Sequence, residues 1–344
     1  MPKNINDLLN DFDDLNESDQ NSAYNRIRAK PFGGNFRSAG LPQEVRERRF
    51  HKGINCFDCS SPNVVKNGKS RQIQRYKCKD CGRTFGDLTA TPMSRSRYRD
   101  KWIDYFELML DGKSIRESAK VLEISVSTSF MWRHKILAAI LELEQEPFDG
   151  ITEVDETFIR HSEKGSRNII GRKPRKRGEK AKLRGISKEQ DCIVVAVDRT
   201  GRTHALVACR GRLSRRQAEA VMGDLVKDVT TLCSDKHNAW EAFARSKGLD
   251  HVVLNASKGE RVKKSVCHIQ NVNSFHRRWK RWMDRFNGVA SKFLNNYLAW
   301  YRFLEAHKRE TNSCARDEFL LAACMTISPT TYRSIKQTEF TIPA

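Results

Sequence analysis

No stretch of about 18 consecutive apolar residues occurs in this 344-residue chain, so no segment reads as a membrane span. The N-terminus, MPKNINDLLNDFDDLNESDQ, sets one Lys against six acidic side chains, which is unlike a signal peptide. No repeat of solenoid length is present. Acidic groups are the minority: 42 Asp plus Glu face 63 Lys plus Arg, a net charge of +21. These absences point to a soluble, intracellular protein, and the charge balance to a polyanionic partner. Ribosomal-type proteins and nucleic-acid enzymes both fit; a membrane-surface protein fits less well. The length allows two or three domains, each with its own core.

Residues 1–50 carry little core material. Ile5, Leu8, Leu9, Phe12 and Leu15 suit either a short amphipathic helix or a flexible arm, and 21–50, with PFGG, reads as linker.

What is present begins with cysteine spacing. CFDC at 56–59 and CKDC at 78–81 are two C-x2-C pairs, a pattern that can set four thiolates tetrahedrally around one Zn²⁺. Cys56, Cys59, Cys78 and Cys81 are the expected ligands, in a zinc ribbon over 51–92. NGK at 67–69 supplies a turn between NVV and QRYKC. The ribbon either reads DNA through its basic edge or only staples a small fold. The other six cysteines lack paired spacing.

Residues 93–148 form the next expected region. Ile115, Ala119 and Leu122 pattern a short helix, EIS makes a tight joint, and Ser125 or Ser127 caps a second helix. This suits a helix-turn-helix, whose second helix enters the major groove. Its candidate contacts are Ser127, Thr128, Arg133 and Lys135; Trp132 is a core residue. An ordinary helical hairpin is the alternative.

From 149 to 310 the pattern changes. TEVDETFI is a strand, DCIVVAVDRTGRTHALVACRG is a hairpin, and helix, strand, helix, strand and helix follow. That order is the order of an α/β ribonuclease-H-like fold, in which carboxylates converge on two divalent cations for phosphoryl transfer. Asp155 lies inside the first strand and Asp235 directly after the fourth. In HIQNVNSFHRRWKRWMDRF, residues 268–286, Val272, Phe275, Trp279, Trp282, Met283 and Phe286 make a core stripe. Asn273, His276, Arg277 and Lys280 share another face.

The stretches YKCKDCGRTF, KPRKRGEKAKLRGIS, VDETF, CSDKHNAW and the long helix resemble bacterial insertion-sequence transposases of the ISXO-type group. The resemblance covers most of 54–306. It implies a zinc ribbon before a nuclease whose signature is Asp, Asp, then Glu or Asn and, seven residues on, Lys. The matching positions are Asp155, Asp235, Asn273 and Lys280, with Mg²⁺ or Mn²⁺ held by the first three. An Asn offers only a neutral carbonyl oxygen, so the second cation is expected to be held more loosely. Asn273 or Asn271 as a mere helix cap, or a dead nuclease, are the other readings. Glu156 and Asp284 are set aside as solvated or salt-bridging groups, and Asp198 as a turn residue.

His276 and Arg277 are expected to hold the DNA backbone. RKPRKRGEKAKLR at 172–184 adds Arg172, Lys173, Arg175, Lys176, Arg177, Lys180, Lys182 and Arg184, a strip suited to neutralising phosphates without reading sequence. The implied protein is a cytoplasmic, nucleoid-associated DNA transposase. It would bind double-stranded DNA at inverted-repeat ends and at targets, as a homodimer or larger assembly. A cleavage-inactive DNA-binding regulator is the rival. Residues 311–344 are a C-terminal extension.

Overall fold

The computed structural model describes residues 41–343 except 71–72, 97, 144, 171, 175–178, 180, 256–257, 309–311, 327 and 329. The expected N-terminal arm, through residue 40, lies outside the described residues. The described residues fall into two compact units: those up to Asp111 together with those of His307–Ile327, and those of Gly112–Ala306 together with Ser328 onward.

The first unit opens with a helix where a linker was expected, α1 (Leu41–Arg49). Pro42 suits a helix's first turn, where its missing N–H has no partner to lose. Val45 is fully buried, which anchors the helix. Arg49 donates to the Asp87 carbonyl (2.6 Å) and stacks 4.7 Å above the Phe57 ring. Three antiparallel strands follow in the order β1 (Val64–Ser70), β2 (Ile73–Cys78), β3 (Thr84–Gly86). The expected turn at NGK is a bulge instead. β1 runs through it with a register shift between Lys66 and Lys69, Gly68 takes φ +66°, and the reversal falls between Ser70 and Ile73. Tyr76 and Phe85 form the small core with Phe50 and Phe57. Farther along, α2 (Trp102–Leu110) buries Trp102, Tyr105, Phe106 and Met109. Phe106 meets Phe319, edge to face at 5.4 Å, on a helix from far down the chain, Asn312–Met325.

The second unit begins with α3 (Ile115–Val121) and α4 (Val126–Leu141). Ser114 and Glu117 form a capping box on α3, and Ser125, not Ser127, caps α4 by accepting from the Thr128 N–H. These helices share a compact unit with the sheet that follows, the second of them packing against the later helix Leu294–Ala306.

The sheet has five strands in the order β6-β5-β4-β7-β8: β4 (Asp149–Arg160), β5 (Gln190–Asp198), β6 (Thr203–Arg210), β7 (Asp228–Asp235) and β8 (Asp250–Leu254). β4, β5 and β6 are antiparallel neighbours; β7 runs parallel to β4, and β8 to β7. Between them come α5 (Arg215–Met222) and α6 (Asn238–Lys247), and after β8 come α7 (Gln270–Asp284) and α8 (Leu294–Ala306). Alternation sorts the faces. Val154, Val194 and Ala196 pack with Met222, Trp240 and Phe243 of α5 and α6. The other face carries α7 and α8. There Trp282 meets Trp300 at 4.9 Å and Phe275 meets Tyr301 at 5.2 Å. Burying one such side chain is worth about 1.5–3 kcal/mol. The helix Asn312–Met325 is α9, and α10 (Tyr332–Gln337) closes the second unit. The expected extension from 311 is therefore shared between the two units. Among the described residues no helix is long and apolar enough to cross a membrane.

Candidate active site

β4 outruns its neighbour. It pairs with β7 from Asp149 to Glu153 and then continues alone on that edge, so Asp155 and Glu156 stand beside the end of β7, where Asp235 lies. One carboxylate oxygen from each of Asp155, Glu156 and Asp235 falls within 4.8 Å of the other two. From the sequence Glu156 was set aside as a solvated or salt-bridging group, yet it joins the cluster although strand alternation sends it to the face opposite Asp155. Its longer side chain reaches back, and the Trp240 indole N–H fixes one of its oxygens at 2.9 Å.

Burial raises all three acids, and neighbouring carboxylates add to it for Asp155 and Glu156. Burial, then the charges of Glu156 and Asp235, pushes the Asp155 carboxyl up to about 8, eased by the Glu156 backbone N–H and by Lys280. Burial raises Glu156, opposed by the Trp240 hydrogen bond and by His237. Burial raises Asp235, opposed by His237. One Asp235 oxygen is buried with no hydrogen-bond partner. An all-oxygen set with an orphaned oxygen and mutual repulsion is what a hard divalent cation would relieve, so the residues fit Mg²⁺ or Mn²⁺.

α7 faces this cluster. His276 Nδ1 lies 3.9 Å from Asp155 Oδ2. Burial, then the charge of Lys280, lowers His276 to about 4, so its imidazole is neutral at pH 7. The backbone-holding role expected of His276 does not match this position: the ring is buried, because its face of the helix turns toward β4. Arg277 is exposed, as are Asn273 and Asp284. Asn273 is not the helix cap, since Ile269 holds that position and the Asn273 backbone N–H bonds to the Ile269 carbonyl inside the first turn. Asn271 bonds instead to Glu153, through its backbone and side-chain nitrogens. Glu153 was missed from the sequence. Its only signal there was an acid two residues from Asp155, on the same strand face. Asp198 accepts from the Arg202 N–H and the Thr200 hydroxyl, as a turn residue does.

The four ribbon cysteines also meet. Cys56 and Cys81 sulfurs are 3.6 Å apart, as are Cys59 and Cys78, and all four lie within 4.8 Å of one another. A tetrahedron with metal–sulfur bonds of about 2.3 Å has edges of about 3.8 Å, so the set fits one ion. The Cys81 backbone N–H, aimed at the Cys78 sulfur, draws that thiol down to about 7, while Cys59 and Cys81, against the Ser61 and Arg83 backbone amides, are raised by burial and the neighbouring sulfurs.

The remaining candidates are scattered. On α4, Ser127 is exposed and Thr128 and Lys135 are half-buried, but Arg133 is wholly buried. Its guanidinium donates to the Lys113 carbonyl (2.8 Å) and lies 4.6 Å over the Trp300 ring, so it is a packing residue and not a groove contact. Trp132 is buried, as expected. In the basic strip Lys173, Lys182 and Arg184 are exposed and Arg172 pairs with Glu163 at 2.5 Å. Arg175, Lys176, Arg177 and Lys180 lie outside the described residues.

Comparison with known proteins places this geometry. The family described as ISXO2-like transposase domain matches residues 147–305, the span from the edge of β4 to the end of α8. Residues 147–305 belong to the ISXO2-like transposase family. The chain is also 28% identical over 273 residues to an uncharacterized protein in transposable element ISH50 of Halobacterium salinarum, covering 78% of this chain and 90% of the relative. A crystal structure of a pre-cleavage Mos1 transpososome aligns over 88% of this chain and 90% of its own. Its sequence identity is 11% and its TM-score 0.20, an overlap too small to bear on fold or mechanism.

Proposed function

We propose that this chain is a DNA transposase that binds the terminal inverted repeats of an insertion sequence and uses divalent metal to cut and rejoin DNA strands. The observation that carries the reading is the meeting of Asp155, Glu156 and Asp235 beside the basic face of α7. The strand order and the sequence of elements support a ribonuclease-H-like fold for the domain. Mg²⁺ or Mn²⁺, when bound, would polarise the scissile phosphate and activate the attacking oxygen. Asp155 and Asp235 would hold the cations, with Glu156 completing the carboxylate set and Asn273 adding a neutral carbonyl from α7. Lys280 would stabilise charge gathering on the phosphate. The cysteine set would hold structural Zn²⁺. The exposed basic groups would grip duplex DNA in the cytoplasm, with two or more copies of the chain pairing the ends.

The test is cleavage of a duplex bearing the element's inverted repeat by the purified chain with Mg²⁺. Asp155→Ala and Asp235→Ala should abolish cutting and leave end binding intact, because affinity comes from the separate basic surface. Asn273→Asp should still cut and need less Mg²⁺ for half-maximal rate. Asn273→Ala cutting at the wild-type rate and metal demand would remove Asn273 from the ligand set and leave Glu156 as third ligand. A wild-type chain that binds ends and never nicks them is a regulator, not a transposase in action.

A further inference from the structure

Helix α7 is held at both ends by charges carried on β4 and its continuation. Ile269, at the cap position, offers no side-chain acceptor. The free amides of the first turn go to Glu153: Oε2 accepts from the backbone N–H of Asn271 (2.9 Å) and of Val272 (3.2 Å), and Oε1 accepts from the Asn271 side-chain amide (2.7 Å). Glu153 is wholly buried and is paired with Arg199, which also donates to the Val266 carbonyl at 2.7 Å. Beyond the other end, the Lys164 ammonium donates to the carbonyls of Phe286 (3.3 Å), Asn287 (3.1 Å) and Gly288 (2.6 Å), in the turn that follows the helix. A carboxylate at the first end and an ammonium at the last both complement the helix dipole.

The placement does more than stabilise a helix. Glu153 and Asp155 are two residues apart on β4 and share a face. Lys164 follows four residues after the strand's last residue, Arg160. The strand that carries Asp155 therefore fixes where α7 starts and where it stops. A slip of one residue along a helix moves each side chain by about 1.5 Å and turns it by about 100°. Such a slip would take His276 and Lys280 away from Asp155.

We infer that Glu153 and Lys164 are positioning residues for strand cleavage, setting the axial and rotational register of α7 against β4. This rests on the nuclease reading above. Full-length Glu153→Gln, Lys164→Met and Lys164→Arg are compared with wild type on inverted-repeat DNA with Mn²⁺. Gln keeps the shape of Glu and loses the charge that gathers Arg199 and the amides. Glu153→Gln should cut with kcat about 100-fold lower, the order expected of an ångström-scale misplacement. KM for DNA should stay within about twofold, since ground-state binding lies elsewhere. Lys164→Met should show a smaller fall in kcat, and Lys164→Arg, which keeps a cationic donor, should restore it. Mn²⁺ titrations of DNA-free protein, followed by electron paramagnetic resonance, should show weaker binding in Glu153→Gln. Folded variants that keep wild-type kcat and Mn²⁺ affinity would overturn the inference, leaving the end contacts as helix stabilisers only. If Glu153→Gln does not fold, Lys164→Met decides alone, because Lys164 sits at the surface. A wild-type chain that never cuts defeats the nuclease reading instead, and the Mn²⁺ comparison then decides the register.

Discussion

His134 lies between the Phe130 ring at 4.3 Å and the Phe293 ring at 3.9 Å, and its Nδ1 is buried without a partner. Burial, then the charges of Arg133 and Lys292, lowers it to about 3; His204 falls to about 3 through burial and the charge of Arg302. An unfolded chain takes up these protons near pH 6.5 and the folded one does not, so stability rises with pH across roughly 3 to 6.5 and is lost as pH falls through that window. The loss amounts to a few kcal/mol at most for each ring, at about 1.4 kcal/mol per pKa unit. His134→Phe keeps the ring stacking and removes the proton. Its melting temperature should match wild type near pH 7 and fall less steeply toward pH 4.5. An unchanged slope would absolve His134. At this scale the positions of Asp155 inside β4 and Asp235 at the end of β7 were legible, because strand periodicity fixes where those side chains stand. Glu153 and Arg133 were not legible. Each is defined by a partner more than a hundred positions away, Asn271 for one and Trp300 for the other, which no local window contains.

The ribbon is the element whose existence depends most on a ligand. Its core is four aromatic rings and its first strand is almost wholly exposed, too little apolar burial to hold three strands unaided. Metal binding would then supply most of its folding free energy. Freshly purified wild type should contain one zinc per chain by elemental analysis. Cys78→Ser should lose it, with limited proteolysis then cutting first within 51–92. A folded, zinc-free wild-type ribbon would contradict this. Elements with strong periodicity were legible: every strand and helix from β4 to α7 occurs in the expected order. Those whose outcome turned on one side chain were not. Val45 makes a helix of a stretch that reads as linker, and a left-handed Gly68 makes a bulge of an expected turn.

For the whole molecule, a net charge of +21 makes salt the first variable of any binding measurement. Lys173→Gln, Lys182→Gln and Arg184→Gln together should lower the slope of log affinity against log salt by about 0.9 for each phosphate that the strip no longer neutralises. The change should be equal on inverted-repeat and unrelated duplexes; a weakening confined to inverted repeats would make the strip a sequence reader. The division of the chain into units has a consequence for synthesis. α2 presents Trp102, Phe106 and Met109 to a core whose other half, α9, begins only at Asn312. At about 5–20 residues per second, roughly ten to forty seconds of translation separate the two halves. The earlier-made unit therefore waits on the ribosome, its apolar face uncovered, while the second unit is made as far as α8. A message truncated before α9 would release that face unmatched, a product for chaperones or proteases rather than for DNA.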